Sequence, residues 1–342
     1  MTAPRILQVQ ALGNPPWPTL DPFLFCVHHH DHYPQGNARM GPDASLAGRN
    51  IGQDFAGKDG WNMYHGDTVP GFPAHPHRGF ETVTLVREGW IDHSDSLGAT
   101  ARFGRGDVQW LTAGKGIVHC EMFPLLSASA PNPAELFQIW LNLPARQKMA
   151  EPHFTMFWNE DIPRFIKQEA SGQLSELVSV AGRWGGLPSL PPPPASWGSA
   201  AHSDLGICTL RLAPHAEWTL PAAQPETRRQ LYFFKGATLS IGDRSLRSGH
   251  AIEVQADAPC TLRNGDTESE ILVLQGRPIG EPVAQYGPFV MNTQAEIHQA
   301  FADYQRTRFG GWPWPSADPT HPRDKARFAR HVDGRVQMPG ES

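Results

Sequence analysis

The sequence predicts an all-β chain built as two β-barrels in tandem, followed by one short helix and a tail. Two observations carry this expectation. Short runs rich in Val, Ile, Thr, Leu and aromatic residues recur from about residue 20 to residue 280, each closed by Gly, Pro, Asn or Asp, which is how many short strands joined by turns read. Glycine and proline also supply 33 residues each of the 342, which favours turns over long helices.

In chain order, the strand-like runs include residues 81–87 (ETVTLVR), 107–111 (DVQWL) and 136–142 (LFQIWLN). Residues 183–200 (RWGGLPSLPPPPASWGSA) cannot build a ladder and suit an extended connection. Two further runs follow at 230–234 (QLYFF) and 270–274 (EILVL). A faint duplication appears when Gly89 is laid on Gly236, so that VTLVREGW faces LYFFKGAT and GDVQWL faces GHAIEV. The expected organisation is an N-terminal barrel over residues 1–182, a linker over 183–205, a C-terminal barrel over 206–291, and a helix and tail over 292–342. The helix spans 293–307, with Asn292 or Thr293 as N-cap, Glu296 in the first turn, and Ile297, Phe301 and Tyr304 on one face. Beyond Trp314 the apolar period is lost, and a surface-bound or disordered tail is expected.

Composition excludes several functions. A net charge of −5 offers no basic footprint for nucleic acid. No stretch has the length and apolarity of a signal peptide or a membrane span, so a cytoplasmic protein is expected. Four dispersed cysteines form no CxxC pair and read as reduced core residues. The 16 histidines are the lead, because they concentrate in the first third of the chain.

Residues 75–121 begin HPHRGFETVTLVREG and end GRGDVQWLTAGKGIVHCE. Strand side chains at i and i+2 share a face, so His75 and His77 point the same way as Glu81, Val83 and Leu85, and apolar Val83 and Leu85 call for the interior. In GIVHCEMF the same test puts Ile117, His119, Glu121 and Phe123 on one face. Two strands thus each send a pair of candidate metal ligands inward. Three imidazoles and a carboxylate without thiolate suit a divalent first-row ion, with one or two coordination positions left for substrate or O₂.

HPHRGFETVT followed by GDVQWLTAGKGIVHCE resembles the pirin family of the cupin superfamily. The resemblance extends to FQIWLNLPA at 137–145 and GRPIGEPVAQYGPFVMNT at 276–293. It implies two jelly-roll-like cupin barrels with a C-terminal helix, and His75, His77, His119 and Glu121 as ligands of one metal ion, usually Fe(II), with Mn, Ni, Cu, Co or Zn as other candidates. Glu81 holds the position of a ligand in the general cupin pattern. In pirins the ligating carboxylate instead follows the third histidine by two residues, which leaves Glu81 as a residue behind the ligands or a base inside the barrel.

The second half retains no such set, since Ala222, Gln224, Arg228, Leu262 and Asn264 fall where the ligands would align. One metal per chain is therefore expected. The tract HHHDH at 28–32 is read as turn or pocket rim rather than a metal tract, and the 93–98 segment (HSDSLG) and the AGKG loop around Lys115 as plain turns.

The resemblance further implies a quercetin 2,3-dioxygenase-type activity, in which a flavonol ring is opened by O₂ with release of carbon monoxide, and in which Glu121 or Glu81 is the general base. The partners are then a small aromatic substrate and O₂, with no membrane. The alternative is a metal-dependent regulatory protein that acts through protein contacts, with iron oxidation state as the switch.

Overall fold

The computed structural model describes residues 5–186 and 188–340. Parts of the N-terminal segment read for a leader, of the linker (Leu187) and of the extreme tail lie outside the described residues. The first strands are β1 (Ile6–Ala11), β2 (Phe23–Tyr33), β3 (Gly71–His77), β4 (Phe80–Glu88), β5 (Trp90–Asp95), β6 (Thr100–Gly104), β7 (Val108–Thr112), β8 (Ile117–Met122), β9 (Asn132–Asn142) and β10 (His153–Phe157). The helix α1 covers Gln294–Thr307.

The chain divides into two compact units, and each draws on distant segments. The first comprises Met1–Val27, Trp140–Asn142 and Asp161–Gly280; the second comprises His28–Ile139, Leu143–Glu160 and Glu281–Ser342. This departs from the expected boundary at 182. β1 pairs antiparallel with His250–Gln255, and Arg164–Gln168 and Leu174–Ala181 extend the same seven-stranded sheet. Composition marks where a chain is loose but not which sheet edge a strand joins. The expected linker is also packed: Trp184 and Trp197 are buried, and their indole nitrogens donate to the carbonyls of Ala181 and Arg277.

In the first unit the seven-stranded sheet and a four-stranded sheet enclose an apolar core that includes Leu210, Leu231, Phe233, Ile252, Leu262 and Ile271. Leu262 is core here, and Asn264 donates to the carbonyls of Leu212, Ala213 and Thr267. Both stand where ligands would have aligned.

In the second unit a five-stranded sheet, ordered β10-β7-β4-β9-β2, is joined by a six-stranded sheet containing β6-β5-β8-β3. Its core includes Val86, Phe103, Leu111, Ile117, Phe123, Leu136, Phe154 and Trp158. α1 starts with Thr293, which accepts from the Glu296 amide while the Glu296 carboxylate accepts from the Thr293 amide, a reciprocal cap that fixes the start of the helix. Ile297 and Ala300 pack with Val118 of β8 and Phe289. Phe309 follows and lies against Gly116, where an added Cβ would meet its ring at 2.6 Å.

The tail is neither loose nor merely surface-bound. Phe328–Arg330 pairs antiparallel with β6, and Val336–Gln337 continues the sheet. Arg102 on β6 is fully buried; its guanidinium holds Asp92 through two 2.7 Å bonds and donates to the carbonyls of His321, Pro322 and Lys325. Backbone hydrogen bonding to a buried charge, rather than apolar periodicity, anchors this segment, which is why hydropathy misses it.

Candidate metal centre

Strands β3 and β8 are antiparallel neighbours, with His75 opposite His119 and His77 opposite Ile117. Along β8 the side chains alternate as the sequence predicts: Ile117 lies in the core of the unit, and so does Phe123 just past the strand end, whereas Val118 faces α1 and Cys120 packs with Val69. A register irregularity between Phe72 and His75 inserts one extra residue opposite β8, the kind of local kink that re-aims side chains at sites. Pro73 and Pro76 suit this strand because neither can donate to a ladder.

The result is a tight group. One ligand nitrogen from each of His75, His77 and His119 lies within 4.8 Å of the others. Among the described residues this is the one group of three or more such side chains that could hold a metal ion. At metal–nitrogen distances of about 2.0–2.1 Å, small side-chain rotations would bring all three onto one ion.

The surroundings fit that use. Burial holds His75 down to about 4 and His77 and His119 well below the ordinary imidazole range, so all three are neutral and keep a lone pair. The Nδ1–H of His75 donates to the Pro73 carbonyl at 2.8 Å, which leaves Nε2 as the ligating atom. Both ring nitrogens of His119 are buried with no hydrogen-bond partner among the described residues, a costly state that a bound cation would relieve at the nitrogen that carries the lone pair. The residues present therefore fit a divalent metal ion.

Glu121 lies one alternation beyond His119 and is buried. Its carboxylate is not part of the 4.8 Å group. Instead it sits in a ring of polar contacts: Thr84 Oγ1 lies 3.0 Å from Glu121 Oε1 and 2.6 Å from Gln138 Oε1, and Gln138 Nε2 donates to Glu121 Oε2 at 2.9 Å. Burial raises its pKa, partly offset by His93 and by the bonds from Thr84 and Gln138.

The position of Glu81 corrects the expectation from strand parity. In β4 Thr82, Thr84 and Val86 share one face: Thr82 lies opposite Leu111, Val86 joins the core with Leu111, and Thr84 reaches Glu121, while the other face, with Val83 and Leu85, is buried as well. Glu81 points to the opposite face, opposite Thr112, whose hydroxyl donates to it at 2.6 Å. Parity cannot be counted from His77 to Glu81, because Arg78 and Gly79 turn the chain from one sheet into the other. Gly79 has φ +85°, and a Cβ there would meet the Val290 carbonyl oxygen at 1.9 Å. The inward direction of His75 and His77 thus holds without the link to Val83 and Leu85 that suggested it.

Three residues of the site escape sequence reasoning. His93, opposite Glu121 on β5, is fully buried with its ring 5.5 Å from that of His119, whereas HSDSLG reads as a hairpin. The hairpin role falls to Asp95, which accepts from the amides of Leu97 and Ala99. Thr84 and Gln138 sit on strands whose ligand-facing side shows no motif; the alternation of Thr84 with Val86 was the available signal. The HHHDH tract is strand rather than turn, with His30 exposed and Asp31 buried.

Comparison with known proteins places these features in context. The pirin family model matches residues 9–141, and the model of the pirin C-terminal cupin domain matches residues 207–310. A Pseudomonas aeruginosa protein named "Putative quercetin 2,3-dioxygenase" is 36% identical over 239 residues, covering 70% of this chain and 79% of that protein. A pirin-like protein of Solanum lycopersicum is 33% identical over 276 residues, covering 78% and 88%. The crystal structure of a quercetin 2,3-dioxygenase from Acinetobacter baumannii superposes with a TM-score of 0.70 at 25% identity, covering 91% of this chain and 99% of that one.

Proposed function

This chain belongs to the pirin family, and from that premise we propose that it is a metal-dependent dioxygenase of quercetin-like flavonols or related aromatic enols, with Glu121 as the general base. The observation that carries the reading is the group of three neutral histidines, His77 and His119 buried and His75 half-buried, on the strand pair that also carries a hydrogen-bonded buried carboxylate. His75, His77 and His119 would hold the ion, Fe(II) first among the candidates, and Glu121, outside their group, serves as the base beside it. When bound, the ion would act as a Lewis acid that lowers the pKa of the substrate's enolic hydroxyl and supports reaction with O₂.

The chain's own residues account for the proton. Thr84 carries one hydroxyl hydrogen and faces two oxygens, and its shorter contact, 2.6 Å, is to Gln138 Oε1. With that hydrogen given to Gln138, the contact between Thr84 Oγ1 and Glu121 Oε1 is satisfied when Oε1 itself carries a proton. The three groups then close a ring in which Glu121 donates to Thr84, Thr84 to Gln138, and Gln138 Nε2 to Glu121 Oε2. A proton taken from the substrate hydroxyl by Glu121 is held there without any buried donor or acceptor being left over. Glu81, on the other face of its strand, has no part in this step.

The deciding experiment measures carbon monoxide release from quercetin and O₂ by protein loaded anaerobically with Fe(II), beside a His75→Ala control. Release by the wild type alone is the expected result. No release from fully metallated wild-type protein overturns the reading.

A further inference from the structure

β2 splits the HHHDH tract by alternation, and its inward members form a polar chain that the proposed reaction does not use. Tyr64 Oη donates to Asp31 Oδ2 at 2.6 Å. Asp31 Oδ1 meanwhile accepts from the Asn62 amide at 2.9 Å and from Asn62 Nδ2 at 3.0 Å. The single hydrogen of the tyrosine hydroxyl is thereby committed to Asp31, so at its 2.8 Å contact with His29 Nδ1 the phenol oxygen accepts and the imidazole donates. This fixes the tautomer of His29: Nδ1 carries the hydrogen and Nε2 keeps its lone pair. Burial keeps the ring neutral. The arrangement is that of an orienting carboxylate, a relay hydroxyl and a poised acceptor.

The acceptor stands among aromatic rings that continue to the metal centre. The His29 ring is 5.9 Å from Phe72 and 6.4 Å from Phe123, and Phe72 in turn lies 6.3 Å from His75. Tyr64 stacks on Phe72 at 5.1 Å. Phe72 is also the residue opposite Glu121 in the ladder between β3 and β8. A flat aromatic molecule bound at the three histidines would extend along apolar ring faces toward the buried acceptor His29 Nε2, with the exposed His65 also beside Phe72.

We infer that His29, held by Tyr64 and Asp31, is a specificity-determining residue that accepts a hydrogen bond from a hydroxyl on the pendant ring of a flavonol-like substrate, remote from the enol at the metal. This rests on the reading that a flavonol-like enol occupies the centre, and it deepens that reading by naming a second hydroxyl the site selects. Asp31 and Tyr64 are positioning residues, because they act through the tautomer of His29.

The test is equilibrium binding to the Fe(II)-loaded, anaerobic full chain of two flavonols that differ in their pendant ring, one hydroxylated and one bare, followed by fluorescence quenching. One hydrogen bond predicts a preference of roughly 3- to 10-fold for the hydroxylated ligand in the wild type. The ratio should fall to about one in His29→Phe, which keeps a ring, and in Tyr64→Phe, which removes only the relay oxygen. Metal content and thermal unfolding are measured on each variant. A structural role would weaken both ligands together and leave the ratio intact; that result, or a wild-type ratio near one, overturns the inference. Selective binding without carbon monoxide release would remove the dioxygenase reading and leave the selectivity standing, whereas failure of either flavonol to bind the loaded wild type would remove both.

Discussion

Replacing Thr84 by Val tests the proton ring directly, because valine keeps the shape of the side chain and deletes the hydroxyl. Two of the three contacts of the ring disappear, those at 3.0 Å to Glu121 and 2.6 Å to Gln138, and the Gln138 to Glu121 bond at 2.9 Å remains. The Thr84 to Gln138 bond is made whether or not Glu121 carries the proton, so at about 0.5–1.5 kcal/mol net for one neutral hydrogen bond the protonated form of Glu121 loses about 0.5–1.5 kcal/mol. The loss falls on the proton-accepting step and not on the histidines, so kcat should drop roughly 2- to 13-fold while metal content stays at the wild-type level. Quercetin consumption followed by absorbance, with metal measured on the same sample, gives both numbers. Thr84→Ser restores the hydroxyl and should recover most of the rate. A Thr84→Val protein with kcat within twofold of wild type at equal metal content would refute the ring, and a rate loss that merely tracks metal loss would refute the assignment of Thr84 to the proton rather than to the fold.

Other expectations address the metal and the frame around it. His119→Ala should abolish stoichiometric metal binding in equilibrium dialysis, since it removes one of the three imidazoles of the group, whereas a substitution at Glu81 should leave the ion in place. Arg102→Leu strands the buried Asp92 carboxylate and should cost about 3–5 kcal/mol, seen as a thermal midpoint lowered by roughly 6–20 °C. The double variant with Asp92→Leu should unfold at a higher temperature than the single one; an equal or lower midpoint would contradict the assignment. The contact between Arg78 and Asp303 predicts an acid limit for the docking of α1. Hydrogen bonds from Arg78, Arg306 and Gln299 hold Asp303 down to about 2 from its ordinary 3.8, so the stabilisation is complete above about 4 and is lost as the pH falls through about 2. Hydrogen exchange of the helix amides across this window should show that loss, and Arg78→Ala should flatten it.

How much of this was legible in the sequence depended on whether the controlling contact was local. Alternation within β8 correctly grouped Ile117, His119, Glu121 and Phe123, because a strand's own pleat sets its faces. Thr293 and Glu296 gave the helix start for the same reason. Glu81 was misplaced because its face depends on a corner at Arg78 and Gly79, whose conformation is imposed by a distant carbonyl. His93 could not be recognised without knowing that β5 lies beside β8 and sets it opposite Glu121. The Asp31, Tyr64 and His29 chain joins two segments through side-chain hydrogen bonds, which leave no periodic trace. The strands near residue 6 and residue 328 failed for a similar reason, since short edge strands are defined by the partner they meet.

The dispersal along the chain of the unit that holds the three histidines also bears on when it could take up an ion during synthesis. His119 leaves the ribosome long before Phe328–Arg330, the strand that pairs with β6, has been made. At about 5–20 residues per second, the interval is roughly 10–40 s. Throughout it the β6 edge and the Arg102 guanidinium still await their partners from the tail. Any ion taken up in that interval would meet a barrel that is not yet closed, so its exchange should slow once Phe328–Arg330 has paired with β6.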